Sequence, residues 1–358
     1  MKVFTLFSGY DSQMLALQRL DNQYNVIKPE LVGWSEIDRN AITAHNALFP
    51  RAENRNLGDV SKIDWTKVKN FDLLTYSSPC QDFSQAGLQQ GGTKGSGTRS
   101  SLLWEVEKAI SIKRPKYLLM ENVAALTTYK FLPLLHKWLH TLEKYGYKNF
   151  AKVLNAKDYE VPQNRERIFV VSILDSDAKF FFPKQMPLAK RLSHLLESDV
   201  PESYNLSETI INTFAAHRAR CIANGTRFGW CPLDGSGIAH TLTAGCHTRP
   251  SDTYIITRGH GFAESRQYTD TAPTIRASRF EQNAAVHQGM TIRRLTPREC
   301  YRLMDVDDAD IDHLLATDIA KTNHYKLAGN SIVVSVLYHI FRKMFVHTEC
   351  ETQQLTLF

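Results

Sequence analysis

The stretch KVFTLFSGYDSQMLALQRL, residues 2–20, decides how the rest of the chain is read. KVFTLFS is a short apolar run ending in serine and glycine, the pattern of a strand. SQMLALQRL spaces its apolar residues three and four apart, the pattern of a helix. Gly9 at the join lets the backbone turn tightly or come close to a ligand. The same alternation continues over the first 175 residues. ELVGWSE, FDLLTYS, YLLMEN and RIFVVSIL read as strands, with RNAITAHNALF, SLLWEVEKAISI and LPLLHKWLHTLEKYG as helices between them. Alternating strands and helices imply an α/β fold whose parallel sheet is covered on both faces. Ligands of such sheets bind beyond the carboxyl ends of the strands.

After Phe182 the texture changes. Residues 186–290 hold short strand-like pieces (AHTLTA, TYIITRG, APTIRAS) between Gly, Asp, Ser and Pro, which suggests a second, smaller, loop- and strand-rich domain. From Thr291 a helical pattern returns, and LAGNSIVVSVLYHIFRKMF reads as one long amphipathic helix. The expected division is therefore 1–185 for the core, 186–290 for an insertion and 291–358 for a segment returning to the core.

Composition narrows the setting. The chain has 358 residues, 43% hydrophobic and 22% charged, as in a soluble globular protein. MKVFTLFSGYDS does not resemble a signal peptide, and no apolar run approaches the ~18 residues of a membrane span. Cys80, Cys221, Cys231, Cys246, Cys300 and Cys350 include no close pair, so neither a disulfide framework nor a CxxC zinc site is indicated. A cytoplasmic protein without a metal is expected. The net charge of +6 is a mild hint of a polyanionic partner. Its distribution says more: Arg191 to Ala320 contains 13 arginines and no lysine. Arginine's planar fork suits phosphate and the guanine edge; compositional drift is the competing reading.

The residues with chemical potential cluster where strands should end. Gly9 closes the first; Glu36 closes the second, where a carboxylate can accept from a ribose diol; Asp59 in GDV can accept from an exocyclic amine. Singly, each acid reads as a helix cap or solvated loop residue. Together they suggest a nucleoside-shaped crevice. In SSPCQDFS, residues 77–84, Cys80 follows Pro79 at a strand end and is either a nucleophile or a small buried thiol. QAGLQQGGTKGSGTRSS, residues 85–101, suits a lid. Glu121 and Asn122 close YLLMEN, where a partly buried carboxyl can shuttle a proton. Arg165 and Arg167, two apart, share one face of an extended strand and can grip a carbonyl oxygen, a phosphate or a carboxylate.

Read in order, FxG, ExD, DV, PCQxFS, RSSL, ENV, QxRxR, RRLTPRE and GNS resemble the DNA (cytosine-5)-methyltransferases of bacteria and phages. The resemblance covers nearly the whole chain outside 186–290, which corresponds to that family's target recognition domain. It implies a Rossmann-like S-adenosylmethionine-dependent core and methyl transfer to C5 of a flipped-out cytosine in a specific duplex DNA sequence. Cys80 would attack C6; Glu121 would hold or protonate N3, supported by Asn122; Arg167 would polarise O2, with Arg165 beside it. Phe7, Gly9, Glu36, Ile37, Asp59, Val60, Pro79, Leu102, Asn330 and Ser331 would contact S-adenosylmethionine, whose product is S-adenosyl-L-homocysteine. Gln81, Ser84 and Arg99 would meet DNA, as would members of the set Arg218, Arg220, Arg227, Arg249, Arg258, Arg276 and Arg279. A monomer is expected, in a restriction-modification setting with a cognate restriction endonuclease or in an orphan or phage one.

Three positions, in two motifs, depart from the family pattern. The usual FxGxGG has Asp11 and Ser12 in place of its last two glycines, and Ser100 stands where glycine is common. An Asp or Ser can cap the following helix, so the first departure concerns cofactor affinity rather than the reaction. Two other functions fit parts of the chain. A tRNA cytosine-5 methyltransferase usually carries Cys-Phe-Thr, whereas Cys221, Cys231 and Cys246 are followed by Ile, Pro and His. A catalytically silent DNA-binding relative would be expected to lack Cys80, Glu121 or Arg167.

Overall fold

The computed structural model describes residues 1–77, 102–226, 229–245, 248–258 and 290–346. A six-stranded sheet forms its centre, built from β1 (Lys2–Leu6), β2 (Glu30–Ser35), β3 (Leu73–Tyr76), β4 (Tyr117–Val123), β5 (Lys148–Asn155) and β6 (Glu166–Ile173). Their order is β2-β1-β3-β4-β6-β5. The inner strands are mostly apolar because both faces are covered: all four residues of β3 are buried.

Helices α1 (Ser12–Tyr24), α2 (Arg39–Leu48), α3 (Leu103–Lys113) and α4 (Leu132–Lys144) alternate with the strands as the spacing predicts. Asp38 starts α2 by accepting from the amides of Asn40 and Ala41. On one face, α1 packs with the final helix, α9 (Val334–Phe345). Leu17 and Leu20 join Leu337, Ile340 and Phe341 there in a single buried cluster. Each such side chain contributes about 1.5–3 kcal/mol through burial. The opposite face has its own core, where Trp104 and Trp138 meet edge to face.

Four features differ from the sequence expectation. β6 runs antiparallel to β4, so the sheet is mostly rather than wholly parallel. β5, an edge strand without a period-two pattern, is not expected from the sequence. ETIINTFAAHRARCIA forms α5 (Glu208–Ala223), started by Ser207 accepting from the Ile210 amide, inside a segment expected to hold only strands and loops. The C-terminal run is two helices, α8 (Lys321–Asn330) and α9, because the backbone is extended at Ser331.

Of the strand-like pieces in 186–290, TYIITRG supplies β7 (Tyr254–Arg258), which pairs with β8 (Met290–Arg294) across the boundary expected at 290/291. AHTLTA makes no regular strand; Ala239 forms a single parallel bridge with Gln163. APTIRAS lies outside the described residues. Helix α6 (Pro297–Leu303) follows β8, then α7 (Asp308–Leu315). No helix among the described residues is long and apolar enough to cross a membrane.

The β8–α6 corner is fixed by a buried ion pair. Arg293 donates from Nη1 to Glu299 Oε2 at 2.8 Å and from Nη2 to Oε1 at 2.7 Å. The same carboxylate accepts from the Thr296 and Glu197 amides. Removing one partner of a buried pair leaves the other charge uncompensated. Glu299→Ala should therefore destabilise the protein by about 3–5 kcal/mol in urea unfolding. A loss below about 1 kcal/mol, the scale of an exposed pair, would refute that assignment.

Candidate active site

Because β6 is antiparallel, its amino end lies beside the carboxyl end of β4, with Val123 opposite Arg167 and Asn122 opposite Ile168. Arg167 Nε reaches Glu121 Oε1 at 3.1 Å. The other carboxylate oxygen, Oε2, accepts from the Ser77 hydroxyl, just beyond the end of β3. Three adjacent strands thus supply a carboxylate, a guanidinium and a hydroxyl at one edge of the sheet. Arg167 Nη1 is tied to the Glu166 carbonyl at 2.8 Å. Asn122 is buried and its Oδ1 accepts from the Val123 amide. A carboxylate held this way can bind or move a proton on a planar ring, and the guanidinium can stabilise charge on a ring oxygen.

Arg165 has different work. It is 3% exposed, and its guanidinium donates to the carbonyls of Leu242 (2.7 Å), Gly329 (3.0 Å) and Ser331 (2.6 Å). Its neighbours hold the AHTLTA segment in place. Gln163 accepts from the Leu242 amide and donates to the Leu303 carbonyl, while Asn164 and Ala239 join through their backbones. Gly329 is required here: a Cβ on it would come within 2.2 Å of the Thr243 carbonyl oxygen. The expectation of two arginines gripping one group is therefore replaced by a division of labour. Leu242 as a partner of Arg165, and Ser77 as a partner of Glu121, were missed, since only the folded chain brings these pairs together.

A second set of residues lies at the ends of β1 and β2. Gly9 has a φ of +58°, and its amide donates to Glu36 Oε2 at 3.0 Å. Glu36 Oε1 accepts from the amides of Ile37 and Asp38. Ile37 is 71% exposed beside them, while Val60 is buried. Asp59 accepts from the Ser61 hydroxyl and amide, and these bonds hold its carboxyl below the usual range. Tyr10 donates its hydroxyl to Ser331 Oγ at 2.6 Å, and burial pushes that phenol up. Phe7 and Leu102 pack against the core on the α3–α4 face, and Asn330 is exposed at the end of α8. Asp11 caps α1 in a left-handed conformation, with φ +69°, accepting from the Met14 amide.

Among the arginines expected to meet DNA, Arg220 and Arg249 are exposed. Arg218 is half-buried and donates to the Trp230 carbonyl at 2.5 Å. Arg258 lies in β7. Pro79, Cys80, Gln81, Ser84, the 85–101 segment with Arg99, and Arg227, Arg276 and Arg279 lie outside the described residues.

Comparison with known proteins gives the family. Residues 1–346 match the family model for C-5 cytosine-specific DNA methylases. Type II methyltransferase M2.ScrFI of Lactococcus lactis subsp. cremoris is 31% identical, over 96% of this chain and 99% of the relative. Orphan methyltransferase M.SssI of Spiroplasma monobiae is 33% identical, over 84% of this chain and 72% of its own. The fold is similar to that of S. pombe Dnmt2 methyltransferase, with a TM-score of 0.69 at 18% identity over the whole of both chains. It is similar also to Entamoeba histolytica methyltransferase EhMeth, with a TM-score of 0.71 at 16% identity over 96% of this chain and 97% of that one. With a family model spanning nearly its entire length and relatives of this kind aligned end to end, the chain belongs to the C-5 cytosine-specific DNA methylase family, as a DNA (cytosine-5) methyltransferase.

Proposed function

We propose that this enzyme uses S-adenosylmethionine to methylate C5 of a cytosine flipped out of a specific duplex DNA sequence, through a covalent Cys80–C6 adduct. The observation that carries the reading is the Ser77–Glu121–Arg167 cluster at the ends of β3, β4 and β6, in a chain where Cys80 follows Ser77 by three residues. C5 and C6 are inaccessible in the stack, so the base must leave it. The Cys80 thiolate adds to C6, forming the S–C6 bond, and the displaced π electrons make C5 enamine-like as N3 takes a proton held by Glu121. Arg167 stabilises the charge that builds on O2, and Asn122 supports the site. Once C5 carries the new methyl group, loss of the C5 proton and departure of the thiolate restore the ring and free Cys80.

The residues at the ends of β1 and β2 fit S-adenosylmethionine. Among the described residues the space beside Gly9 is open, since a Cβ there would meet none of them within 4 Å, and Ile37 offers an exposed apolar surface next to the Glu36 carboxylate. When bound, the cofactor supplies an electrophilic methyl group and is left as S-adenosyl-L-homocysteine. Phe7, Gly9, Glu36, Ile37, Asp59, Val60, Pro79, Leu102, Asn330 and Ser331 are its proposed contacts. Arg165 is assigned as a positioning residue. We place the enzyme in the cytoplasm, acting as a monomer, with a cognate restriction endonuclease as partner where the mark protects host DNA. Arg220 and Arg249 are its foremost candidates for phosphate or base contact, with Arg218, Arg227, Arg258, Arg276, Arg279, Gln81, Ser84 and Arg99 in the same proposed interface.

Duplex DNA carrying 5-fluorocytosine should trap the wild-type protein as a denaturation-resistant adduct in the presence of S-adenosylmethionine, and Cys80→Ala should form none. An adduct with the variant, or none with the wild type on DNA covering all short sequences, would sink the mechanism. Tritiated methyl transfer to tRNA serves as the control for an RNA substrate. Glu121→Gln should lower the single-turnover methylation rate by about 10²–10⁴; a fall below tenfold would remove its proton role.

Arg165→Ala should act through structure. Leaving buried carbonyls without their donor costs about 1–3 kcal/mol per group. The variant should lose stability in urea unfolding, whereas Arg167→Ala, at a more open position, should lose chiefly rate. The reverse pattern would overturn the division of labour.

A further inference from the structure

Asp11 stands where the family pattern has glycine, and its surroundings are unusual. Its backbone is left-handed and its carboxylate is wholly buried. Asp tolerates that conformation better than most side chains. A buried carboxylate still needs partners. Oδ1 accepts from the Met14 amide at 3.1 Å, and Oδ2 accepts from the Thr5 hydroxyl at 2.8 Å.

The third neighbour is His45, on α2. Its Nε2 lies 3.5 Å from Asp11 Oδ2, and the ring is wholly buried. It stacks on Trp34 at 3.6 Å between centroids and 15° between planes. Trp34 is itself held by its Nε1 donating to the Ala52 carbonyl. Neither imidazole nitrogen has a hydrogen-bond partner within the described residues, and Asp11 is the only carboxylate among them within 4 Å of a ring nitrogen.

Helix α2 begins just after Glu36, the acid that receives the Gly9 amide. The turn after β1 and the turn after β2 are thus linked twice, by Gly9–Glu36 on the open side and by Asp11 facing His45 on the buried side. We propose that Asp11 and His45 form a latch that sets the cofactor-contacting turn where the usual glycines are missing. His45 is a positioning residue that acts through Asp11 and touches no reacting atom. The inference rests on the reading of this crevice as the S-adenosylmethionine site.

The test is calorimetric binding of S-adenosyl-L-homocysteine, together with steady-state methylation of duplex DNA over a range of S-adenosylmethionine concentrations. His45→Phe keeps the stacked ring and removes the polar nitrogen that faces Asp11. It should raise the Kd for S-adenosyl-L-homocysteine and the KM for S-adenosylmethionine about tenfold, a cost of about 1.4 kcal/mol. The kcat at saturating cofactor should stay within about twofold, as expected of a ground-state positioning effect. Adding Asp11→Gly to His45→Phe removes the buried charge left facing the apolar ring, suits the left-handed backbone, and should restore most of the affinity. Should His45→Phe not fold, Asp11→Asn replaces it: the amide keeps the cap and tolerates the backbone but lacks the charge, and should also weaken binding. Unchanged affinity in the folded single variant, or a double variant no tighter than His45→Phe, overturns the latch. Failure of the wild type to bind S-adenosyl-L-homocysteine overturns the cofactor reading, and the latch with it.

Discussion

The direction of one strand governs the site. A parallel sheet would put the amino end of β6, and with it Arg167, at the edge away from the carboxyl end of β4. Because β5 and β6 form an antiparallel pair, β6 returns alongside β4 with Arg167 opposite Val123. A short connection suffices for that return, whereas a parallel neighbour would need a long crossover. The β4–α4–β5 connection leaves one strand position vacant between β4 and β5, and β6 fills it. The Glu121–Arg167 pair is a consequence of this topology rather than of any closeness in sequence.

The loop that makes the β5–β6 return also carries the second organising contact. Arg165, one residue before β6, reaches carbonyls from the segment after α5 and from the break between α8 and α9. Parts of the chain 77 and 166 residues away thereby meet on one guanidinium. Ser331, at that break, also receives the Tyr10 hydroxyl from the turn after β1. The turn proposed to hold the cofactor and the strand end bearing Glu121 and Arg167 are thus connected through a single buried node. The extended backbone at Ser331 gives this node its acceptors, because carbonyls within a continuous helix would be engaged by the helix itself.

How much of this was legible follows from what a sequence pattern encodes. Apolar period distinguishes strand from helix, so β1 to β4, β6 and α1 to α4 were readable, as were Glu36, Glu121 and Arg167 at strand ends. Period carries no information on direction, so β6 was taken as parallel with the others. KNFAKVLN, an edge strand exposed over most of its length, shows neither a strand nor a helix period. LAGNSIVVSVLYHIFRKMF keeps helical spacing through Ser331, which hid the break. Asp11 was recognised as a departure and as a cap for α1. Its pairing with His45 was not visible, since 34 residues and a strand separate them.

The arginine-rich segment shows how burial divides one residue type among several tasks. Its 13 arginines without lysine suggest a polyanion, but several are engaged inside the protein. Arg293 is locked on the buried Glu299 and Arg218 donates to the Trp230 carbonyl, while Arg302 pairs with the exposed Asp308 at the surface. A guanidinium suits these internal roles for the reason it suits DNA: a planar fork that makes several directed bonds while remaining charged. Arginine bias therefore reports a need for bidentate geometry, and only exposure decides whether the partner is internal or a nucleic acid. By that criterion Arg220 and Arg249, which the fold leaves at the surface, stand first among the proposed DNA contacts, and a count of 13 arginines overstates how much of the segment's arginine faces outward.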